Sequence, residues 1–136
     1  MTSVLVDSNV LLDIFTLDKR WFPWSHAALA DAGAGARLVV NAVVYAETSV
    51  RFSRIEEFEI ALPAEKVARE AIPFEAAFLA GKAFEDYRRR GGTRTSTLPD
   101  FFIGAHAAVA GYRLLTRDPK RYRGYFPKVS LIAPEN

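Results

Sequence analysis

Asp7 ends a short apolar run, Val4-Leu5-Val6, and Asp118 follows a second one, Arg113-Leu114-Leu115-Thr116. Asp100 opens a segment of helical pattern after Pro99. Glu47 lies in the second turn of another, which Asn41 begins, among the apolar Val43, Val44, Tyr45 and Ala46. Each acid has an ordinary reading by itself: a strand-to-helix cap for Asp7-Ser8-Asn9, a helix cap for Asp100, a turn start for Asp118-Pro119. Taken together they ask for another. An unpaired Glu47 carboxylate is costly in apolar surroundings, and four carboxylates drawn into one small site raise one another's pKa or repel. A hard divalent cation resolves that repulsion, and oxygen ligands suit Mg²⁺ or Mn²⁺. With no cysteine and only His26 and His106 as histidines, zinc is the weaker option. Carboxylate-held Mg²⁺ binds phosphate oxygens, orients water for in-line attack and stabilises a leaving alkoxide, so phosphodiester hydrolysis fits.

Such a site needs a scaffold that gathers residues 7, 47, 100 and 118. Val4–Val6 and Leu38–Val40 read as strands buried on both faces, with Arg113–Thr116 and Val129–Ile132 as two more. Between them, Ser8 caps a helix with Val10, Leu11, Ile14 and Phe15 at helical spacing, and a second helix runs from Trp24 to Ala32 before Gly33 and Gly35. Asn41 caps a third helix to about Ser53, and Ile55–Ile72 reads as an interrupted helix broken by Pro63 and Pro73. Phe74–Arg90 is a longer helix expected to bury Ala77, Phe78, Gly81, Phe84 and Tyr87, and Asp100–Gly111 is the last. Strands alternating with helices give an α/β fold, a central mostly parallel sheet of about four to five strands flanked by helices. Ligands bind such sheets outside the carboxyl ends of the strands. Asp7 and Asp118 fall at that edge, and the helices of Glu47 and Asp100 begin there.

The 136 residues read as one domain, 1–136. Half of them are hydrophobic and a quarter charged, which excludes a low-complexity chain. The lack of cysteine excludes a disulfide scaffold, an iron–sulfur cluster and a thiol nucleophile. The net charge of +2 is unevenly placed: residues 1–81 hold 7 basic and 11 acidic side chains, residues 82–136 hold 11 and 5. The second half therefore suits an anionic partner. The start Met1-Thr2-Ser3-Val4 has no basic region typical of a signal peptide, and no stretch approaches the roughly 18–20 apolar residues of a membrane span. The expectation is a cytoplasmic protein with no membrane partner.

The stretches VLVDSNVLLDIF, VVYAETSVRF and LPDFFIGAHAAVAGYRLLTRDPKRYRGYFPKVSLIAP resemble the PIN-domain ribonucleases, specifically the VapC-type toxins of type II toxin–antitoxin pairs. The likeness runs through the chain in order, tightest over residues 4–15, 41–52 and 98–134 and loosest over 55–90. It implies a PIN-like three-layer sandwich. Asp7, Glu47, Asp100 and Asp118 match the family's four acidic positions, catalytic and metal-holding. Asn9 matches a supporting amide, and Thr116 a hydroxyl that orients the last aspartate or a metal-bound water. The resemblance further implies Mg²⁺- or Mn²⁺-supported cleavage of RNA, often tRNA or rRNA, with inhibition of translation. It also implies an antitoxin protein whose tail covers the acidic groove, and a homodimer.

Around this set, Arg117, Lys120, Arg121 and Arg123 stand beside Asp118 as candidate RNA-binding residues. Tyr122, Tyr125 and Phe126 interleave with them, a mixture suited to phosphates and unpaired bases. Tyr125 and Phe126 suit packing under the last strand equally well. Asp13 reads as a solvated helix residue and His106 as a packed histidine. Arg88, Arg89, Arg90 and Arg94 read as solvated charges. The Trp21, Phe22, Trp24 cluster fits either core or a partner surface. Three rival functions stay open: the same fold acting on DNA or in RNA maturation without a toxin role, a non-catalytic RNA- or protein-binding module, and a phosphotransfer protein. The last is disfavoured, because Asp7-Ser8-Asn9 is not Asp-x-Asp and Leu114-Leu115-Thr116 offers no lysine.

Overall fold

A computed structural model describes residues 2–135. Its centre is a five-stranded sheet of β1 (Ser3–Val6), β2 (Arg37–Val40), β3 (Val67–Arg69), β4 (Arg113–Leu115) and β5 (Leu131–Ile132). The order is β3-β2-β1-β4-β5, and every pairing is parallel. Val4, Leu5 and Val6 are fully buried, as a central strand covered on both faces requires.

Parallel strands need crossovers, and right-handed crossovers fix which face each helix covers. From β1 to β2 to β3 the chain steps one way, which puts α1 (Ser8–Phe15), α2 (Phe22–Gly35), α3 (Ala42–Ser49) and α4 (Ile55–Ala61) on one face. It then returns past β1 to β4 and β5, which puts α5 (Phe74–Arg89), α6 (Pro99–Ala110) and α7 (Lys120–Tyr125) on the other. Contacts of α1 with α2 and α3, and of α6 with α5 and α7, follow that division. The result is three layers, and the strand order reverses between β1 and β4. That reversal opens a crevice at their carboxyl ends.

Several elements depart from the sequence reading. The interrupted helix expected over Ile55–Ile72 is helix only to Ala61; beyond Pro63 the chain becomes β3, with Val67 buried and paired to Leu38. A three-residue strand is too short to show a period. The segment after Asp118 forms the short helix α7 instead of an open turn, and only Leu131–Ile132 of the last run pairs. Helix α2 begins at Phe22, with Pro23 in its first turn, and Gly33 lies inside it. Gly33 is set so near β2 that a Cβ would come within 3.1 Å of Leu38 Cδ1. Helix α3 ends at Ser49.

The buried face of α5 is also turned from the one expected: Ala76, Ala80 and Ala83 face inward, while Phe74 and Phe78 are exposed. Small residues at i, i+4 and i+7 let α5 lie close on α6; of the bulky residues expected inside, Phe84 and Tyr87 pack partly buried against the core and Phe78 is left outside. Helix α6 stops at Gly111, whose φ of +71° is left-handed and favours glycine.

Candidate active site

All four acids lie on elements that end or begin at the β1–β4 crevice. Asp7 leaves β1 and caps α1, its Oδ1 accepting from Ser8 N at 2.7 Å. Ser8 was expected to be this cap. As first residue of the helix it instead turns its hydroxyl to Glu47, donating to Oε1 at 2.8 Å. The other Asp7 oxygen, Oδ2, accepts from the hydroxyls of Tyr122 at 2.8 Å and Thr116 at 2.9 Å, and from Asn9 Nδ2 at 3.3 Å. Tyr122 Oη also lies 3.5 Å from Asp100 Oδ1. Asn9 Nδ2 reaches Asp118 Oδ2 at 3.5 Å, while Thr116 Oγ1 accepts from Asp118 N at 3.1 Å. A chain of hydroxyl and amide groups therefore links Glu47, Asp7, Asp100 and Asp118.

The electrostatics follow from this crowding. Burial pushes Asp7 up to about 6, with the Asp100 charge adding to the rise and the bonds from Tyr122, Thr116 and Ser8 opposing it. Glu47, half-buried, is raised by burial and by Asp100. Asp100 is raised by burial, against the pull of Arg121, whose Nη1 lies 3.5 Å from Asp100 Oδ2. No Lys or Arg forms an ion pair with Asp7 or Glu47 among the described residues. Nor do three or more His, Asp or Glu side chains stand in position around one ion among them. The Ser8, Asn9 and Tyr122 groups lie between the carboxylates instead.

The PIN domain family model matches residues 4–127. The chain belongs to the PIN domain family. No curated protein matches it. Among solved structures, this PIN domain is similar to a chain of VapBC2 from Rickettsia felis bound to a promoter DNA fragment. The TM-score is 0.73 at 13% identity, covering 98% of this chain and 100% of that one. It is also similar to VapBC-1 from nontypeable Haemophilus influenzae, with TM-score 0.72, 17% identity and coverages of 97% and 98%. A toxin–antitoxin complex from Klebsiella pneumoniae gives 0.68 and 20%, with 98% of both chains covered. At these identities the likeness concerns the fold.

Several side chains of this PIN domain stand elsewhere than the sequence suggested. Asp13 is buried, not solvated: it accepts from Ser25 Oγ at 2.7 Å and from Arg117 Nε and Nη2 at 2.8 and 3.1 Å. A buried carboxylate needs such a partner. Arg117 is thereby committed to Asp13; it also lies over the Trp21 ring at 5.4 Å and reaches Asp118 Oδ2 at 3.4 Å. Its backbone N–H donates to Asn9 Oδ1 at 3.1 Å. The aromatic cluster thus includes a clamp on the strand end that carries Asp118.

Lys120, Arg121 and Arg123 are exposed at the surface of α7. Tyr122, grouped with them as a base-stacking residue, is buried instead, its ring against Gly104 of α6, where a Cβ would fall 3.1 Å from Tyr122 Cδ1. Phe126 is buried beside it, and Tyr125 is partly exposed. The sequence reading missed Ser8 and Tyr122 as parts of the site. The spacing of Tyr122, Tyr125 and Phe126 is the i, i+3, i+4 signature of a helix face, the one signal that pointed to α7. His106 is packed, as expected: fully buried on α6, with Nδ1 3.1 Å from Asn41 Nδ2.

Proposed function

We propose that this PIN domain is a Mg²⁺- or Mn²⁺-dependent endoribonuclease, the toxin half of a toxin–antitoxin pair. One observation carries the reading: Asp7 is buried at the sheet reversal, raised to about 6, and shares hydrogen-bonding neighbours with Asp100, Asp118 and Glu47 but no cation. An all-oxygen, electron-rich donor set of this kind fits a hard divalent ion. Asp7, Glu47, Asp100 and Asp118 are the residues that would hold it. Bound there, the ion would supply Lewis-acid polarisation of a phosphoryl oxygen and a nucleophilic water at neutral pH. The protein's own groups do the positioning. Asn9 and Thr116 hold Asp7 and Asp118 in register, Ser8 orients Glu47, and Arg121 and Lys120 offer charge to the flanking phosphates.

The VapBC and toxin–antitoxin complexes among the structural neighbours support an antitoxin partner. A homodimer and a cytoplasmic setting belong to the same proposal. No helix among the described residues is long and apolar enough to cross a membrane.

Incubation of the purified chain with total RNA and Mn²⁺, followed by sequencing of the new 5′ ends, tests the reading. Cleavage at defined positions, absent in EDTA and in Asp7→Asn, is the expected result. Equal cleavage by Asp7→Asn would overturn the assignment.

A further inference from the structure

Arg117 stands directly before Asp118, and one face of α1 holds it at both ends. Asn9 and Asp13, four residues apart on that helix, share the face. Asn9 Oδ1 accepts from the Arg117 backbone N–H at 3.1 Å, and Asp13 takes the guanidinium through two bonds, from Nε at 2.8 Å and from Nη2 at 3.1 Å. The third guanidinium nitrogen, Nη1, lies 3.4 Å from Asp118 Oδ2. Arg117 therefore sits between two carboxylates and is shared unequally. The Asp13 side chain is 4% exposed and that of Asp118 68%. A two-bonded pair sheltered from water is screened far less than a single long contact in solvent, so the guanidinium stays with Asp13. Ser25 Oγ fixes the Asp13 carboxylate from its other side at 2.7 Å, and the Trp21 ring centroid lies 5.4 Å from the guanidinium carbon.

This unequal sharing bears on the acids. Asp118 is one of the four that would hold a divalent ion, and Asn9, which grips the Arg117 backbone, also reaches its Oδ2 at 3.5 Å. A guanidinium moved fully onto that carboxylate would occupy its oxygens and cancel the charge that attracts a cation. Asp13 draws the guanidinium the other way. We propose that Asp13 is a positioning residue for the metal site: it holds the Arg117 guanidinium back from Asp118, so that this carboxylate stays open to a divalent ion. The inference rests on the metal-dependent reading and gives the buried Asp13–Arg117 pair a role in it. If the pair served only to brace the fold, loss of either partner would harm the site alike. As a restraint on a competing cation it behaves otherwise: losing the anchor alone harms the site, losing the arginine alone does not, and losing both repairs the damage.

The test measures Mn²⁺ binding by the full chain without RNA, from the electron paramagnetic resonance of the free ion, with circular dichroism as the check on folding. Asp13→Asn keeps the shape of the side chain and removes its charge, and it should weaken Mn²⁺ binding about 10–100-fold, the scale on which groups behind metal ligands act. Adding Arg117→Gln to that variant should return the affinity to near the wild-type value. Arg117→Gln alone, whose amide can still donate to Asp13, should bind Mn²⁺ at least as tightly as wild type, and this arm decides even where Asp13→Asn fails to fold. Wild-type affinity in a folded Asp13→Asn would overturn the proposal. So would a double variant that binds no more tightly than Asp13→Asn, or weakened binding in Arg117→Gln alone. In each of these cases Mn²⁺ binding by the wild-type chain would leave the metal-dependent reading standing. A wild-type chain that binds no Mn²⁺ would remove both.

Discussion

Two polar clusters are buried against this sheet, and they are built on opposite plans. Around Asp7, carboxylates meet hydroxyls and an amide, and the cations at the rim, Arg121 and Arg117, pair with Asp100 and Asp118 but not with Asp7 or Glu47. Around Glu70, the one carboxylate is surrounded by donors. Tyr112 Oη bonds both its oxygens at 2.8 Å, Arg37 Nη1 lies 3.6 Å away, and His106 Nε2 lies 3.6 Å away on the buried side. Asn41 Oδ1 accepts from Val44 N, so its Nδ2 faces His106 Nδ1 as a donor, which leaves the imidazole proton on Nε2, toward Glu70. The second cluster surrounds its carboxylate with donors and ties α6 to β2 and α3, while His106 Nε2, buried and 3.6 Å from Glu70, makes no hydrogen bond. The first carries excess negative charge that the folded chain alone does not neutralise. One cluster supplies its acid with donors and cations; the other holds more carboxylates than cations, the arrangement that suits a cationic ligand.

Replacing the central acid of each cluster separates the two plans most sharply. Asp7→Asn should lower RNA cleavage by roughly 10²–10³-fold or more, the scale of losing a key electrostatic group. In EDTA at neutral pH it should leave the chain at least as stable as wild type. The rise of Asp7 from 3.8 to about 6 means that keeping it ionised in the fold costs about 3 kcal/mol. Urea unfolding beside a cleavage assay reads both effects; a large loss of stability would contradict the open-cluster picture. Glu70→Gln should do the reverse. It leaves Arg37 without its acid and weakens the partners of His106 and Tyr112, a loss of about 2–3 kcal/mol, with cleavage retained below the melting temperature.

The clusters also respond to pH with opposite sign. In the unfolded chain Asp7 gives up its proton near pH 4; in the metal-free fold it keeps it to about 6. The folded state binds more protons between those values, so stability falls as pH rises through that window, by about 3 kcal/mol in all, and the penalty is complete above it. Burial lowers His106 below its usual 6.5, with Glu70 pulling the other way. The fold keeps this imidazole neutral, so its contribution is intact above 6.5 and declines as pH drops below it. Unfolding midpoints in EDTA from pH 4 to 8 should show the Asp7 decline in wild type. In Asp7→Asn the decline should shrink to the part due to Glu47 and Asp100, beside the rise due to His106. An unchanged profile in that variant would place the titration elsewhere.

How far this contrast could be read in the sequence depended on the reach of each signal. Asp7 and Asp118 were placed at the sheet edge because each directly follows a short apolar run, a local pattern. Strand β3 was hidden because three residues between Pro63 and Pro73 carry no period. The inner face of α5 was misplaced because two apolar stripes share that helix, and only the closeness of α6 selects the alanines. Asp13 looked solvated because its partner Arg117 is 104 positions away. Tyr122 looked like a surface residue in a basic run because Gly104, which makes room for its ring, lies on another helix. Local grammar located the acids; the groups that orient them are set by tertiary contacts.

The smallest effect compares the two tyrosines that serve the two clusters. Tyr112→Phe removes a bond to a carboxylate that water can partly reach, and should cost about 1 kcal/mol. Tyr122→Phe removes one from a carboxylate sealed away from water, and its cost should depend on whether Asp7 is ionised. At pH 5, in EDTA, Asp7 holds its proton, and the lost bond is one between neutral groups, again about 1 kcal/mol. At pH 7.5 the folded wild type has given that proton up, and the hydroxyl donates to a charge. The loss then moves toward the roughly 1.5–3 kcal/mol of a charge-assisted bond. Denaturant midpoints of the two variants at the two pH values decide it. A pH-independent loss for Tyr122→Phe would mean that its hydroxyl packs beside Asp7 without holding the ionised form, and the first cluster would then lack the tension that sets it apart from the second.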